Sequence, residues 1–282
     1  MFKRLALAVS LFAIMGASAF AAEMNPKTGL DHSVMPKVTN LAKQPSSVLL
    51  AGNSFMYYNN GVVQWLQGMV AADKVSKLGV GMVTIAYAGI DWHDMKSYLR
   101  PDAINSYTTL NDGSNRLVFR KDKGPVFDAV VMQDNSQGPV HPELKKFLKK
   151  YAAKHSKDIR EAGATPMLML TWAFTDRPEM TRQLADSTIE VANENNLMVV
   201  PVGLAFAEAL KERPDTKLII ADKRHPSIAG TYLETCVLYA TLLKKSPEGI
   251  AWYGLGELQV PPEQAKFLQK VAWKTVKSFF GW

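Results

Sequence analysis

The chain has 282 residues, 47% hydrophobic and 21% charged, with Lys and Arg outnumbering Asp and Glu by 33 to 26. This composition excludes a disordered or fibrous chain. The lone Cys236 excludes an intramolecular disulfide and any cysteine-built metal site.

Residues 1–21 stand apart. Lys3 and Arg4 precede the apolar run Leu5 to Phe20, and Ala19-Phe20-Ala21 has the small-x-small pattern of a cleavage site. The run is short for a membrane span, and no later stretch is long enough to be one. The segment is read as a secretory signal cleaved near Ala21, so the mature protein is expected to be periplasmic or secreted, without stable membrane insertion. No cysteine follows it to take a lipid. Cleavage removes Lys3 and Arg4 and no acid, lowering the formal charge from +7 to +5. The densest basic cluster, Lys145, Lys146, Lys149 and Lys150, has the spacing of one solvated helix face, so no nucleic-acid partner is expected.

Residues 22–46, with Pro26, Pro36 and Pro45, read as an extended arm, and 47–282 as a single domain. Its first strand is Val48-Leu49-Leu50-Ala51, ending in Gly52-Asn53-Ser54-Phe55. A helix over 59–74 follows, with Val62, Val63, Leu66, Met69 and Val70 on one face. Gly81 to Ala86 is a second strand, closed by Ala88-Gly89, and Trp92, Met95 and Leu99 mark a short helix. Residues 101–126 are polar and turn-rich, an irregular excursion or a hairpin around Leu117-Val118-Phe119. Phe127 to Met132 forms the third strand and runs into Gln133-Asp134-Asn135-Ser136-Gln137.

Next comes a helix over 142–162, with Leu144, Phe147, Leu148, Tyr151 and Ala152 at helical spacing. Pro166 to Trp172 is a fourth strand, and a helix over 178–196 leads to the fifth, Met198 to Pro201. Helices over 203–212, 227–243 and 262–279 complete the chain, with Asp222-Lys223-Arg224-His225-Pro226 in the loop before the second of them. Cys236 sits among apolar neighbours and reads as a buried, inert thiol. Five apolar strands alternating with helices define a three-layer α/β/α sandwich around a five-stranded parallel sheet.

In such a sheet the carboxyl ends of the strands share one rim, where ligands bind. Ser54, Gly89 and Asn135 all follow strand ends. A serine nucleophile needs a base, and His225 with Asp222 three residues earlier supplies a base and its orienting acceptor. Backbone N–H groups of Ser54 and Gly89, with the Asn135 amide, would supply oxyanion donors. Singly, each has a plainer reading as a turn, cap or loop residue. Their order along the chain is the stronger signal.

Those four blocks resemble the SGNH (GDSL-like) hydrolases. Gly52-Asn53-Ser54-Phe55 is similar to the first block, with Asn53 where many members carry Asp. Ala88-Gly89 is similar to the second, Val130 to Asn135 to the third, and Asp222 to Ser227 to the last. The resemblance spans roughly residues 47–243. It implies the flavodoxin-like SGNH fold, with Ser54 as nucleophile, His225 as base, Asp222 as its partner, and an oxyanion hole from Ser54, Gly89 and Asn135. Gln133 stands where the third block usually has glycine, which leaves Gln133 or Gln137 as alternative donors.

Tyr57, Asn59, Trp92, His93, Gln133 and Trp172 are candidate substrate-lining residues. His32 and His155 are expected at the surface and His141 in a loop. No metal site and no cofactor are expected. The expected substrate is a small-molecule or glycan ester, acetyl on a carbohydrate first. A non-catalytic exported carbohydrate-binding or scaffold protein on the same fold, or an acyltransferase using the same site, are the alternatives. The oligomeric state is open.

Overall fold

A computed structural model describes residues 24–102, 104–109, 114–119 and 124–282. The expected signal segment and Ala22 and Glu23 lie outside the described residues. In chain order the elements are β1 (Ser47–Gly52), α1 (Ser54–Tyr57), α2 (Val62–Asp73), β2 (Gly79–Thr84), a 3-10 turn (Ile90–Trp92), α3 (Met95–Tyr98), β3 (Ile104–Thr109) and β4 (Asn115–Phe119). Then come β5 (Ala129–Met132), α4 (Leu144–Glu161), β6 (Thr165–Met169), α5 (Met180–Glu194), β7 (Met198–Val200), α6 (Val202–Glu212), α7 (Ile228–Leu243), β8 (Gly254–Leu255), β9 (Leu258–Gln259) and α8 (Pro262–Phe280).

The central sheet has the order β2-β1-β5-β6-β7, and every pair in it is parallel. Crossovers leave β1 towards β2 in one direction and towards β5 and beyond in the other. Right-handed connections therefore place helices on opposite faces, and the order reverses beside β1. α2 packs on α7, which packs on α8, while α4 packs on β6 and α5. The expected three-layer α/β/α sandwich is present. β3 and β4 pair antiparallel, which favours the hairpin over the irregular excursion among the two expected alternatives.

Val48, Leu49, Leu50 and Ala51 are at most 3% exposed, as a strand covered on both faces requires. The edge strand β2 is only half-buried. α7 is the most deeply placed helix: every residue from Ala229 to Leu243 is buried, Cys236 among them. A helix apolar nearly all round belongs inside.

Several placements correct the sequence reading. On α2, Trp65 rather than Val63 completes the buried face. On α4, Phe147 is exposed, whereas His155 and Ser156 face the core. His32 and His155, expected at the surface, are both fully buried. His32 bonds the Thr28 hydroxyl at 2.8 Å and the Val34 carbonyl at 2.9 Å. Its ring meets Phe279 edge-on at 5.4 Å. Local ring bonds of this kind let a histidine go inside uncharged, and burial holds its pKa down.

The arm is tied to α5 by Asp186, which accepts from the Ser33 N–H at 2.7 Å, the Ser33 hydroxyl at 2.6 Å and the Val34 N–H at 3.0 Å. Val38 then bridges in parallel to Met198, beside β7.

Candidate active site

Asn53 caps α1, its side-chain oxygen accepting from the Phe55 N–H at 3.1 Å. Its amide nitrogen donates to the carbonyls of Ala88 at 2.8 Å and Asp134 at 3.1 Å. Gln133 closes the arrangement: its oxygen accepts from the Asn53 N–H at 3.0 Å, and its nitrogen donates to Asn53 Oδ1 at 2.9 Å. One buried asparagine thus joins the ends of β1 and β5 to the loop after β2. A carboxylate at position 53 would turn an acceptor towards two carbonyl oxygens, so the asparagine is chemically required here.

Gln133 is fully buried and its amide is engaged, which corrects its expected roles as substrate-lining residue and alternative oxyanion donor. Gly52 is needed for the same packing, since a Cβ there would collide with the Gln133 oxygen and the Met56 sulfur. The two departures from the usual blocks, Asn53 and Gln133, are therefore one hydrogen-bonded unit.

Ser54 Oγ lies 2.8 Å from His225 Nε2, and His225 Nδ1 lies 2.5 Å from Asp222 Oδ2. With the carboxylate accepting from Nδ1–H, Nε2 is left to accept the serine proton. Asp222 Oδ1 also accepts from the N–H groups of Arg224 at 2.9 Å and His225 at 3.0 Å. Partial burial raises its pKa, but the bonds from His225 and the two backbone N–H groups outweigh that and hold it below the usual value. It is therefore ionised at neutral pH.

The loop carrying the pair is fixed by the segment that follows β6. Trp172 Nε1 donates to the Arg224 carbonyl at 2.9 Å, and the Thr175 N–H to the Lys223 carbonyl at 3.1 Å. Trp172 is only 1% exposed and is stacked between Phe55 and Phe206. That corrects its expected place on the substrate surface; it buttresses the histidine loop. Tyr58 lies flat on the His225 ring at 4.2 Å and 8°, and Phe55 meets the same ring edge-on at 5.7 Å. Sequence reasoning missed the Tyr58 contact, because nothing in a tyrosine four residues after Ser54 announces a partner 167 positions away.

Gly89 and Asn135 directly follow the two residues, Ala88 and Asp134, whose carbonyls accept from Asn53. Among the described residues, neither the Ser54 nor the Gly89 N–H meets a protein acceptor. Asn135 Oδ1 accepts from the Gln137 N–H at 3.0 Å, and its nitrogen makes only a long 3.4 Å contact with the Tyr87 carbonyl. Its amide therefore retains donor capacity. A Cβ at Gly89 would sit 2.6 Å from Asp91 Oδ1 and 3.0 Å from Asp134 Oδ1, so any larger residue there would have to displace the Asp91 carboxylate.

Asp134 Oδ1 accepts from the Ile90 N–H at 2.8 Å, while Oδ2 is buried with no partner among the described residues. Burial pushes its pKa up to about 6, against the bonds from Ile90 and Asn135. His93 bonds the Gly52 carbonyl at 3.1 Å and His155 the Ile90 carbonyl at 3.0 Å. Burial lowers both pKa values, which leaves the rings neutral. His93, expected to line the pocket, is thus a buried prop.

Tyr57, Tyr87 and Trp92, each within three residues of Ser54 or Gly89 in the chain, are 38%, 89% and 64% exposed. Asn59 is half-buried, and its nitrogen donates to the Pro226 carbonyl at 3.1 Å and the Thr231 hydroxyl at 2.8 Å. It therefore ties the nucleophile's segment to the histidine's. His141 lies in the loop before α4, where its Nδ1 accepts from the Glu143 N–H at 3.2 Å. No group of three or more His, Cys, Asp or Glu suited to a metal ion occurs among the described residues, and no helix among them is long and apolar enough to cross a membrane.

No family model and no curated protein matches the chain. Solved structures do. A DUF4886 family protein from Bacteroides uniformis is similar with a TM-score of 0.59 at 18% identity, over 80% of this chain and 93% of that one. A protein provisionally named a GDSL-like lipase, from Parabacteroides merdae, is similar with a TM-score of 0.50 at 13% identity, over 73% and 99% of the two chains. At these identities the likeness concerns the fold. Together with the parallel five-stranded order, it gives the chain the fold of the SGNH (GDSL-like) hydrolases.

Proposed function

We propose that the protein is an SGNH-type serine esterase that removes a small acyl group, acetyl above all, from a carbohydrate, and that it acts outside the cytoplasm after loss of its signal segment. The observation that carries this reading is the continuous relay from Ser54 Oγ through both His225 nitrogens to Asp222. Ser54 Oγ attacks the acyl carbon while its proton passes to His225 Nε2, and Asp222 holds the imidazolium. The carbonyl oxygen becomes an oxyanion facing the N–H groups of Ser54 and Gly89 and the Asn135 amide. The intermediate collapses, and the departing alcohol takes the proton from His225. Water then attacks the acyl-enzyme with His225 again as base. The cycle needs no cofactor.

Two features favour a small acyl group on a sugar. An apolar cavity of about 300 Å³ is lined by Trp172, Phe174 and Phe206, and by neither Ser54 nor His225, so it is not an acyl-chain pocket opening on the nucleophile. The exposed rings of Tyr57, Tyr87 and Trp92, each within three residues of Ser54 or Gly89 in the chain, offer flat apolar faces to a pyranose. Hydrolysis of an aryl acetate by the purified protein tests the chemistry. Ser54→Ala is expected to lower kcat by at least about 10⁴-fold. Equal turnover by the variant would assign the reaction elsewhere.

A further inference from the structure

The Gly89 N–H meets no protein acceptor among the described residues, and its direction is set by the two peptide groups that share the Gly89 Cα. The first, between Ala88 and Gly89, is held by its carbonyl, which accepts from the Asn53 amide at 2.8 Å. In a planar trans peptide the N–H lies opposite the carbonyl, so the Gly89 N–H points away from that amide. The second, between Gly89 and Ile90, is held at both ends. Its carbonyl accepts from the Trp92 N–H at 3.2 Å, closing the local 3-10 turn. Its N–H donates to Asp134 Oδ1 at 2.8 Å, across 44 positions of sequence.

Asp134 is itself fixed. Its backbone carbonyl accepts from Asn53 Nδ2 at 3.1 Å and from Gln133 Nε2 at 2.5 Å. Gly138 packs so closely on its side chain that a Cβ there would collide with Oδ2 and with the carboxyl carbon. Oδ2 has no partner among the described residues, and a buried unpaired oxygen costs stability. One bonded oxygen and one stranded oxygen add little to the fold on balance. The contribution of the acid lies in where it puts Ile90, and so in where it puts Gly89.

We propose that Asp134 is a positioning residue of the oxyanion hole: by bonding the Ile90 N–H it fixes the second peptide group of Gly89, and with it the direction of the Gly89 N–H. Asn53 fixes the first group, and the same asparagine holds the Asp134 carbonyl, so both clamps on Gly89 share one frame. Asn135 follows Asp134 directly, so this frame also carries the third expected donor. The assignment rests on the esterase reading and adds a residue that acts only through Gly89.

The test is aryl acetate turnover per active site, with sites counted by fluorophosphonate titration to completion, so that misfolded protein does not enter the rate. Acylation and deacylation both build an oxyanion in the same hole. Asp134→Ala is therefore expected to lower kcat about 10–100-fold while KM moves by less than about threefold. Asp134→Asn keeps an acceptor oxygen for Ile90 and is expected to recover most of kcat. Gly138→Ala pushes on the same carboxyl without replacing it. It is expected to lower kcat about tenfold alone and to add nothing in the Asp134→Ala background, as for two changes at one contact. Native kcat in Asp134→Ala, an Asn variant as poor as Ala, or losses that simply multiply in the double variant would overturn the positioning role and leave the esterase standing. No turnover by the native protein and no adduct on Ser54 would remove the esterase reading, and this role with it.

Discussion

Tyr58 is the residue whose contact defines the base. Its ring covers one face of His225, so it restricts the imidazole to the plane that reaches Ser54, and the imidazolium formed in the reaction gains the attraction of an aromatic face. Tyr58→Leu is expected to lower kcat by about 3–30-fold with little change in KM, and Tyr58→Phe to restore most of it. A hydroxyl role would instead make Phe as poor as Leu. Asp222→Asn removes the acceptor that fixes the tautomer, and steady-state kinetics should show a loss of about 10²–10⁴-fold in kcat. Asn53→Asp would set a carboxylate against two carbonyl oxygens. A loss of about 1–3 kcal/mol in chemical denaturation is expected, whereas wild-type stability would mean that the amide bonds contribute nothing net.

At the scale of elements, α7 carries an anomaly. Glu234 is fully buried, neither of its carboxyl oxygens has a partner among the described residues, and burial holds its pKa well above 4.5. The folded chain therefore keeps a proton that the unfolded chain releases once the pH passes about 4.5, so this group lowers stability as the pH rises beyond that value. Glu234→Met should raise stability at neutral pH by about 1–3 kcal/mol and flatten its decline with pH. A less stable variant at pH 7 would show that the carboxyl is bonded after all. The elements most legible in the sequence were those buried on both faces: Val48 to Ala51, Ala129 to Met132 and Met167 to Met169 are unbroken apolar runs whatever their neighbours. β8 and β9 were not legible, since two residues each carry no periodicity and their pairing rests on the turn between them. His155 was misjudged for a related reason. Its sequence neighbours are Lys154, Ser156 and Lys157, and only the approach of Ile90 to α4 makes an inward ring favourable.

For the whole molecule, the site is assembled where the strand order reverses beside β1, from segments 171 residues apart in the case of Ser54 and His225. The order of the four blocks was readable because a parallel sheet sends every strand end to one rim. The stacking of Tyr58, the bridge through Asn59 and the engagement of Gln133 were not, because each depends on a partner set by folding rather than by spacing. The arm belongs to the same body. Asp186→Ala would remove three hydrogen bonds that hold residues 33 and 34 to α5. It should cost about 1–3 kcal/mol and speed proteolysis within residues 24–40. Unchanged cleavage there would mean that the arm is held by its apolar contacts alone.

Labelling with a fluorophosphonate, mapped by mass spectrometry, reads the activation of Ser54 without assuming any substrate. The native protein is predicted to carry one adduct, on Ser54, that is lost in His225→Ala and in the unfolded chain. No adduct on Ser54, or equal labelling with and without His225, would contradict the relay.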